Sequence, residues 1–358
     1  MSRVYLDHNA TTPLRGEARD AMLAAMDVVG NPSSVHAEGR AAKGLVEKAR
    51  AQVADLVGCR VNQVVFTGSA TEAVTMVCSG KVVGCADVEH DAVHAHQCDP
   101  FDVDRAGTIF GSTSSADIQA IQAANSETGI LQDLSQRAVS AETQSAKLMV
   151  DAVQAVGKRA YCHRVLNVDY SIVSAHKLGG PKGVGALCLR DGLDIEPFVS
   201  GGGQEMGRRS GTENVVGIAG FGAAAAAAKQ DLDSGAWDRV EKLRNILETT
   251  IEAAEKETIF VGKSALRLPN TSCMLTPGWN GQTQVMQLDL AGFAVSAGSA
   301  CSSGKVKASR VLQAMGYSPL DAACAIRVSL GLETTEDEVE RFIDAWTSAR
   351  ARHKARAA

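Results

Sequence analysis

Two short apolar stretches each end in an ionisable residue, and that pairing constrains the fold more than any other feature of the chain. Leu148-Met149-Val150 runs into Asp151, with Gln154 three residues on, and Ser171-Ile172-Val173 leads through Ser174, Ala175 and His176 to Lys177. Apolar runs this short read as strands buried on both faces. Strands that finish in polar, reactive groups mark the carboxyl edge of an open α/β sheet, where such sheets place their ligands. The surrounding pattern agrees. Val64-Val65-Phe66 reads as a strand, Gly68-Ser69 as a turn, and a helix follows from about Ala70. Residues Ser34 to Val57 predict an amphipathic helix, with Leu45, Val46, Ala49, Val53, Leu56 and Val57 on one face and Gly58 as its stop. Alternation of strand and helix signals continues to about residue 230 (Ala223 to Ala228 fit a closely packed helix), as in a mostly parallel sheet flanked by helices. A charged, helix-rich segment then starts near Asp231, running from Trp237 to Lys256, and short strands and helices alternate after it. This suggests a second, smaller α/β domain.

Composition narrows the function classes. A chain of 358 residues with 45% hydrophobic residues can form roughly two domains with sizeable cores. Its net charge of −5 implies no general attraction to nucleic acid or anionic membrane. Arg350, Arg352, Lys354 and Arg356 form a basic cluster that reads as a solvated helix end complementing the dipole. No stretch approaches the ~20 apolar residues of a membrane span, and Met1 to Asp7 lacks a signal-peptide layout. Nine cysteines, an odd number without repeated spacing, argue for a reducing cytoplasm over a disulfide framework.

A lysine and an aspartate at neighbouring strand ends suit pyridoxal 5′-phosphate. The amine forms a Schiff base with the aldehyde, and the carboxylate keeps the pyridine nitrogen protonated. Thr67 to Glu72 puts a glycine turn and hydroxyls at a strand-to-helix junction, where free amides bind phosphate, although a Ser/Thr cap explains the same residues. Ser174 and His176 could add phosphate hydrogen bonds. Gly201 to Thr212 reads as a flexible surface loop whose Arg208-Arg209 pair also suits an anion. Gly298 to Gly304 sets Cys301 among small residues, in an accessible position that reactivity requires. Cys78, Cys188 and Cys324 lie in apolar or strand-like settings that disfavour a thiolate. Arg327, inside a strand-like apolar run, needs a carboxylate partner, either structural or the substrate's. His90, His94, His96 and Cys98 have metal-like spacing, but no second Cys/His pair follows nearby, so strand and loop positions are the simpler reading.

Nine segments in order resemble one family, the NifS/IscS-type cysteine desulfurases, pyridoxal-phosphate enzymes of the aspartate aminotransferase fold. They run from Tyr5-Leu6-Asp7-His8-Asn9-Ala10-Thr11-Thr12-Pro13 through Gly30-Asn31-Pro32-Ser33-Ser34, Ala70-Thr71-Glu72, Glu89-His90, Asp151 with Gln154, His176-Lys177, Arg209-Ser210-Gly211-Thr212 and Cys301 to Ser329-Leu330-Gly331. The resemblance implies an α/β fold of that class, a mostly parallel seven-stranded sheet flanked by helices plus a smaller α/β domain. Residues 14–235 would form the large cofactor domain, and residues 1–13 with 236–358 the small domain carrying the cysteine loop. It further implies that Lys177 holds the cofactor and moves the substrate's Cα proton. Asp151 would pair with the pyridine nitrogen and Gln154 with the ring hydroxyl. Ala70, Thr71, Ser174 and His176 would hold the phosphate, and Thr212 would reach it from the other subunit of a homodimer. His90 would stack on the ring and shuttle protons, Asn31 and Arg327 would clamp the substrate carboxylate, and Cys301 would take sulfur as a persulfide.

The implied reaction converts L-cysteine to L-alanine and passes sulfur to an acceptor protein for iron–sulfur assembly or tRNA thiolation. No resident metal is implied, and Cys301 is the residue that could touch a cluster during delivery. The chain departs from the family in four places. Ser126 stands where the second of two asparagines is usual, near the ring hydroxyl and amine. Residues Ser79 to Cys85 look shortened, Gln204 replaces a histidine, and the chain ends soon after Trp346, without a longer scaffold-docking segment. The alternatives are a related lyase acting on selenocysteine or cysteine sulfinate, which depends less on a cysteine nucleophile, and a catalytically weak, cofactor-binding regulatory subunit.

Overall fold

The structure, a computed structural model, describes residues 3–111, 115–298 and 308–357. Its central sheet has eight strands, in the order Val64–Thr67, Gly185–Leu189, Tyr170–Ser174, Lys147–Asp151, Ile118–Gln122, Val83–Ala86, Gln97–Val103 and Ile109–Phe110. The four pairings from Tyr170–Ser174 across to Gln97–Val103 are parallel. Gly185–Leu189 is antiparallel to both of its neighbours. The eighth strand, beyond the seven expected, is a two-residue antiparallel addition to the edge. Side chains alternate between the faces, as the strand period of two requires. Leu148, Val150, Val173 and Ala186 join one core, whereas Met149, Ile172 and Leu187 join the other. Both faces are thus buried, which is why these strands read as continuous apolar runs.

The amphipathic helix spans Ala37–Val57 and starts three residues later than its apolar pattern suggests. His36 caps it, with Nδ1 accepting from the Gly39 N–H, and Gly58 closes it in the left-handed conformation at φ 72°. The alanine-rich helix Val215–Asp233 packs against it. A further core gathers Val4 and Leu6 with Trp279, Phe342 and Trp346. It lies under a four-stranded sheet that includes Thr271–Leu275 and Ala325–Ser329.

The Gly-rich segment is anchored. Glu205 takes a bidentate ion pair from Arg50, at 2.6 and 2.8 Å, and accepts the Phe66 N–H at 2.8 Å. Its arginines are also paired, Arg208 with Asp194 at 2.8 Å and Arg209 with Glu72 at 2.9 Å. The anion-binding reading of that pair therefore gives way to structural ion pairing.

Candidate active site

Residues 9–15 lie alongside the lysine loop, and this contact builds the site. Thr12 N–H donates to the His176 carbonyl at 2.9 Å, Thr12 Oγ1 to the Lys177 carbonyl at 3.1 Å, and Arg15 N–H to the Gly179 carbonyl at 2.9 Å. Lys177 follows the strand Tyr170–Ser174 in a short helical turn, and its Nζ donates to the Asn9 and Ala10 carbonyls at 2.6 and 2.8 Å. It faces a cavity of about 550 Å³ also lined by Asp151, Gln154, His90, Ser126, Ser174, His176 and Arg327. Asp151 ends the adjacent parallel strand. Burial pushes its carboxyl above the usual range, and His90, the Val153 N–H and Lys177 oppose that. A cationic ring nitrogen beside it would favour the carboxylate, so the donor set fits pyridoxal phosphate.

The phosphate end fits as well. The helix Ala70–Cys78 presents its first residues, Ala70 and Thr71, to the cavity. Ser69 caps it by accepting from Glu72 N–H, and Glu72 in return accepts from Gly68 N–H at 2.7 Å. A Cβ at Gly185 would sit 2.7 Å from Ser69 C and 2.8 Å from Ala70 N, so glycine lets the strand pass close beneath this helix start. Burial, with Lys177 and Lys182 nearby, lowers the His176 pKa to about 4, so at neutral pH it offers a hydrogen bond and no charge. Lys182 lines the same cavity and supplies a cation that the sequence reading did not assign.

Arg327 projects from Ala325–Ser329 into the cavity. Its partner is Asp7 at 2.8 Å, and Nη1 donates to the Ser126 carbonyl at 3.0 Å. Its Nε is buried without a partner among the described residues. His90 caps a short helix through Nδ1, which accepts from Ala92 N–H at 3.1 Å.

Two of the expected site residues lie outside this cavity within one protomer. Asn31 is exposed and outside the cavity. Thr212 is exposed in an adjoining groove with Arg209 and Gly68. Cys301 lies outside the described residues. His94 pairs with Asp87 at 3.3 Å, and no metal-binding group of His, Cys, Asp or Glu forms among the described residues. Asn9 and Lys158 were missed as site residues. Asn9 stands in the N-terminal motif, but nothing local signals that its carbonyl would receive the lysine.

The model of the class-V aminotransferase family matches residues 4–90 and 108–342. The chain belongs to the class-V aminotransferase family. Family members work with pyridoxal phosphate, in agreement with the donor set of the cavity. The chain is 39% identical to a cysteine desulfurase of Cereibacter sphaeroides, covering 96% of this chain and 95% of that one. It is 35% identical to the cysteine desulfurase IscS of Dictyoglomus turgidum, covering 95% and 93%. Among solved structures of the family, a NifS-like protein from Rickettsia africae superposes with TM-score 0.90 at 31% identity, covering 98% of this chain and 99% of that one.

Proposed function

We propose that this enzyme takes sulfur from L-cysteine, releases L-alanine and hands the sulfur to an acceptor protein through a persulfide on Cys301. The observation that carries this reading is one cavity joining Lys177, Asp151 and Arg327, in a chain 39% identical to a cysteine desulfurase. Pyridoxal phosphate supplies the electron sink that weakens bonds at the substrate's α and β carbons. Lys177 holds the cofactor and moves the Cα proton. Asp151 would keep the ring nitrogen protonated, and Gln154 would donate to the ring oxygen. Ala70, Thr71, Ser174 and His176 would hold the phosphate, and His90 would lie against the ring and carry protons. Arg327, held in place by Asp7, takes the substrate carboxylate. The Cys301 thiolate then attacks the substrate sulfur, forming the S–S bond as the Cβ–S bond breaks. The purified protein should turn L-cysteine into equal amounts of alanine and transferred sulfur. Binding of pyridoxal phosphate without alanine formation would instead favour a regulatory subunit.

The large unit of residues 14–235 and the small one of 1–13 with 236–358 belong to this reading, supported by the separate core around Trp279 and Trp346. A homodimer also belongs to it, with Thr212 serving the partner's site. Its support is that Thr212 shares a groove with Gly183 and Val184, which also line the cofactor cavity. Sizing at micromolar concentration should give a dimer, and a fully active monomer would end this part of the reading. A cytoplasmic location rests on the free cysteines, and no helix among the described residues is long and apolar enough to cross a membrane.

Ser126 sets the rate below that of an asparagine at the same position. A hydroxyl cannot match the two-ended hydrogen bonding of a carboxamide, and one neutral contact is worth about 1 kcal/mol, roughly fivefold in rate. Ser126→Asn should therefore raise kcat by roughly fivefold, measured as alanine formed at saturating cysteine. An unchanged or lower kcat would mean another group supplies the contact.

A further inference from the structure

Beneath the cavity lies a buried lysine that the reaction does not use. Lys158 is 3% exposed, and its side-chain partners among the described residues are carboxamide oxygens, not carboxylates. Its Nζ donates to Gln154 Oε1 at 2.7 Å and to Asn9 Oδ1 at 3.2 Å. Gln154 and Lys158 lie four residues apart on a turn held by Val156 N–H to the Ala152 carbonyl and Lys158 N–H to the Ala155 carbonyl, so they share a face. We infer that Lys158 is a positioning residue that fixes Gln154 as a hydrogen-bond donor to the cofactor's ring oxygen. The inference rests on reading the cavity as the cofactor site.

The hydrogen bonds allow only one arrangement of the two carboxamides. Asn9 Nδ2 faces the Ser126 carbonyl at 3.2 Å, which can only accept, so Asn9 Oδ1 faces Lys158 and the Nδ2 of Asn270. An ammonium can only donate, so Gln154 must turn Oε1 toward Lys158. Gln154 Nε2 then donates to the Asn9 carbonyl at 3.0 Å, and its second proton is left for the cavity that Gln154 lines. The same Asn9 carbonyl accepts from Lys177 Nζ. Lys158 thus supports both the group that would meet the ring oxygen and the carbonyl that holds the catalytic amine.

Burial without a carboxylate, with Lys177 and Arg327 adding repulsion, lowers the Lys158 pKa to about 7. In its protonated form Lys158 favours negative charge in the cavity. His8 faces it from the N-terminal segment, with its pKa lowered to about 4 chiefly by burial and then by Lys158.

Lys158→Met removes the charge and the fixed donor while keeping an unbranched chain. Both losses favour the protonated form of the bound cofactor, by removing a nearby cation and by removing a donor that stabilises the ring oxyanion. The pKa of the holoenzyme's visible absorbance band should rise by about one unit, with the cofactor still bound and Tm little changed. A band pKa that is unchanged or lowered in folded, cofactor-loaded Lys158→Met overturns the inference. Should that variant not fold, Lys158→Gln, which keeps a donor without the charge, reads the same quantity and should also shift upward; no shift there overturns it equally. Wild-type protein that gives no visible band with pyridoxal phosphate would instead overturn the reading of the cavity.

Discussion

Lys177→Ala is expected to lose the visible band of covalently held cofactor and to lower alanine formation by about 10²–10⁴-fold, the range for removing a group that transfers the key proton. The amine lies in the cavity with Asp151 and is fixed by two backbone carbonyls at 2.6 and 2.8 Å. Lys182 lies in the same cavity, but on the phosphate side in this reading, so it should not substitute. Cofactor should still enter the variant, because the helix start at Ala70 and the arm of Ser174 and His176 do not depend on the lysine side chain. The check is borohydride reduction followed by peptide mapping. A reducible link to another lysine, or turnover near the wild-type rate, would show that Lys177 is not the attachment point.

Cys301→Ser should bind the cofactor and cysteine normally yet lose sulfur transfer by about a hundredfold or more, as when a nucleophile is removed. Serine cannot form a persulfide. Mass spectrometry of wild-type protein after cysteine treatment should place one extra sulfur, about 32 Da, on the peptide containing Cys301. The other thiols are poorly suited to the role. Burial pushes Cys78 up to about 12 and raises Cys85 and Cys273 well above their usual range, so little thiolate forms at neutral pH. Cys98 is the exposed alternative among the described residues. Persulfide on Cys98, with Cys301→Ser still active, would overturn the proposed path.

The sequence by itself determined the local elements and the two reactive strand ends. Apolar runs at Leu148 and Ile172 are buried on both faces because alternate residues enter different cores. Helix ends were nearly as legible, since caps and stops such as Gly58 are written within a few residues of where they act. The motif order also carried the cofactor and the family. Tertiary structure alone decided what surrounds the reactive groups. Asn9 meets Lys177 and Lys158 across more than a hundred residues of chain, and Asp7 meets Arg327 across still more. No periodicity encodes such contacts, because they depend on strand order and on where the N-terminal segment settles. The same holds for Lys158, which packing removes from water and leaves with two carboxamide oxygens as its hydrogen-bond partners. Arg208 and Arg209 show the converse: their sequence suits an anion, but Asp194 and, from far along the chain, Glu72 already pair with them.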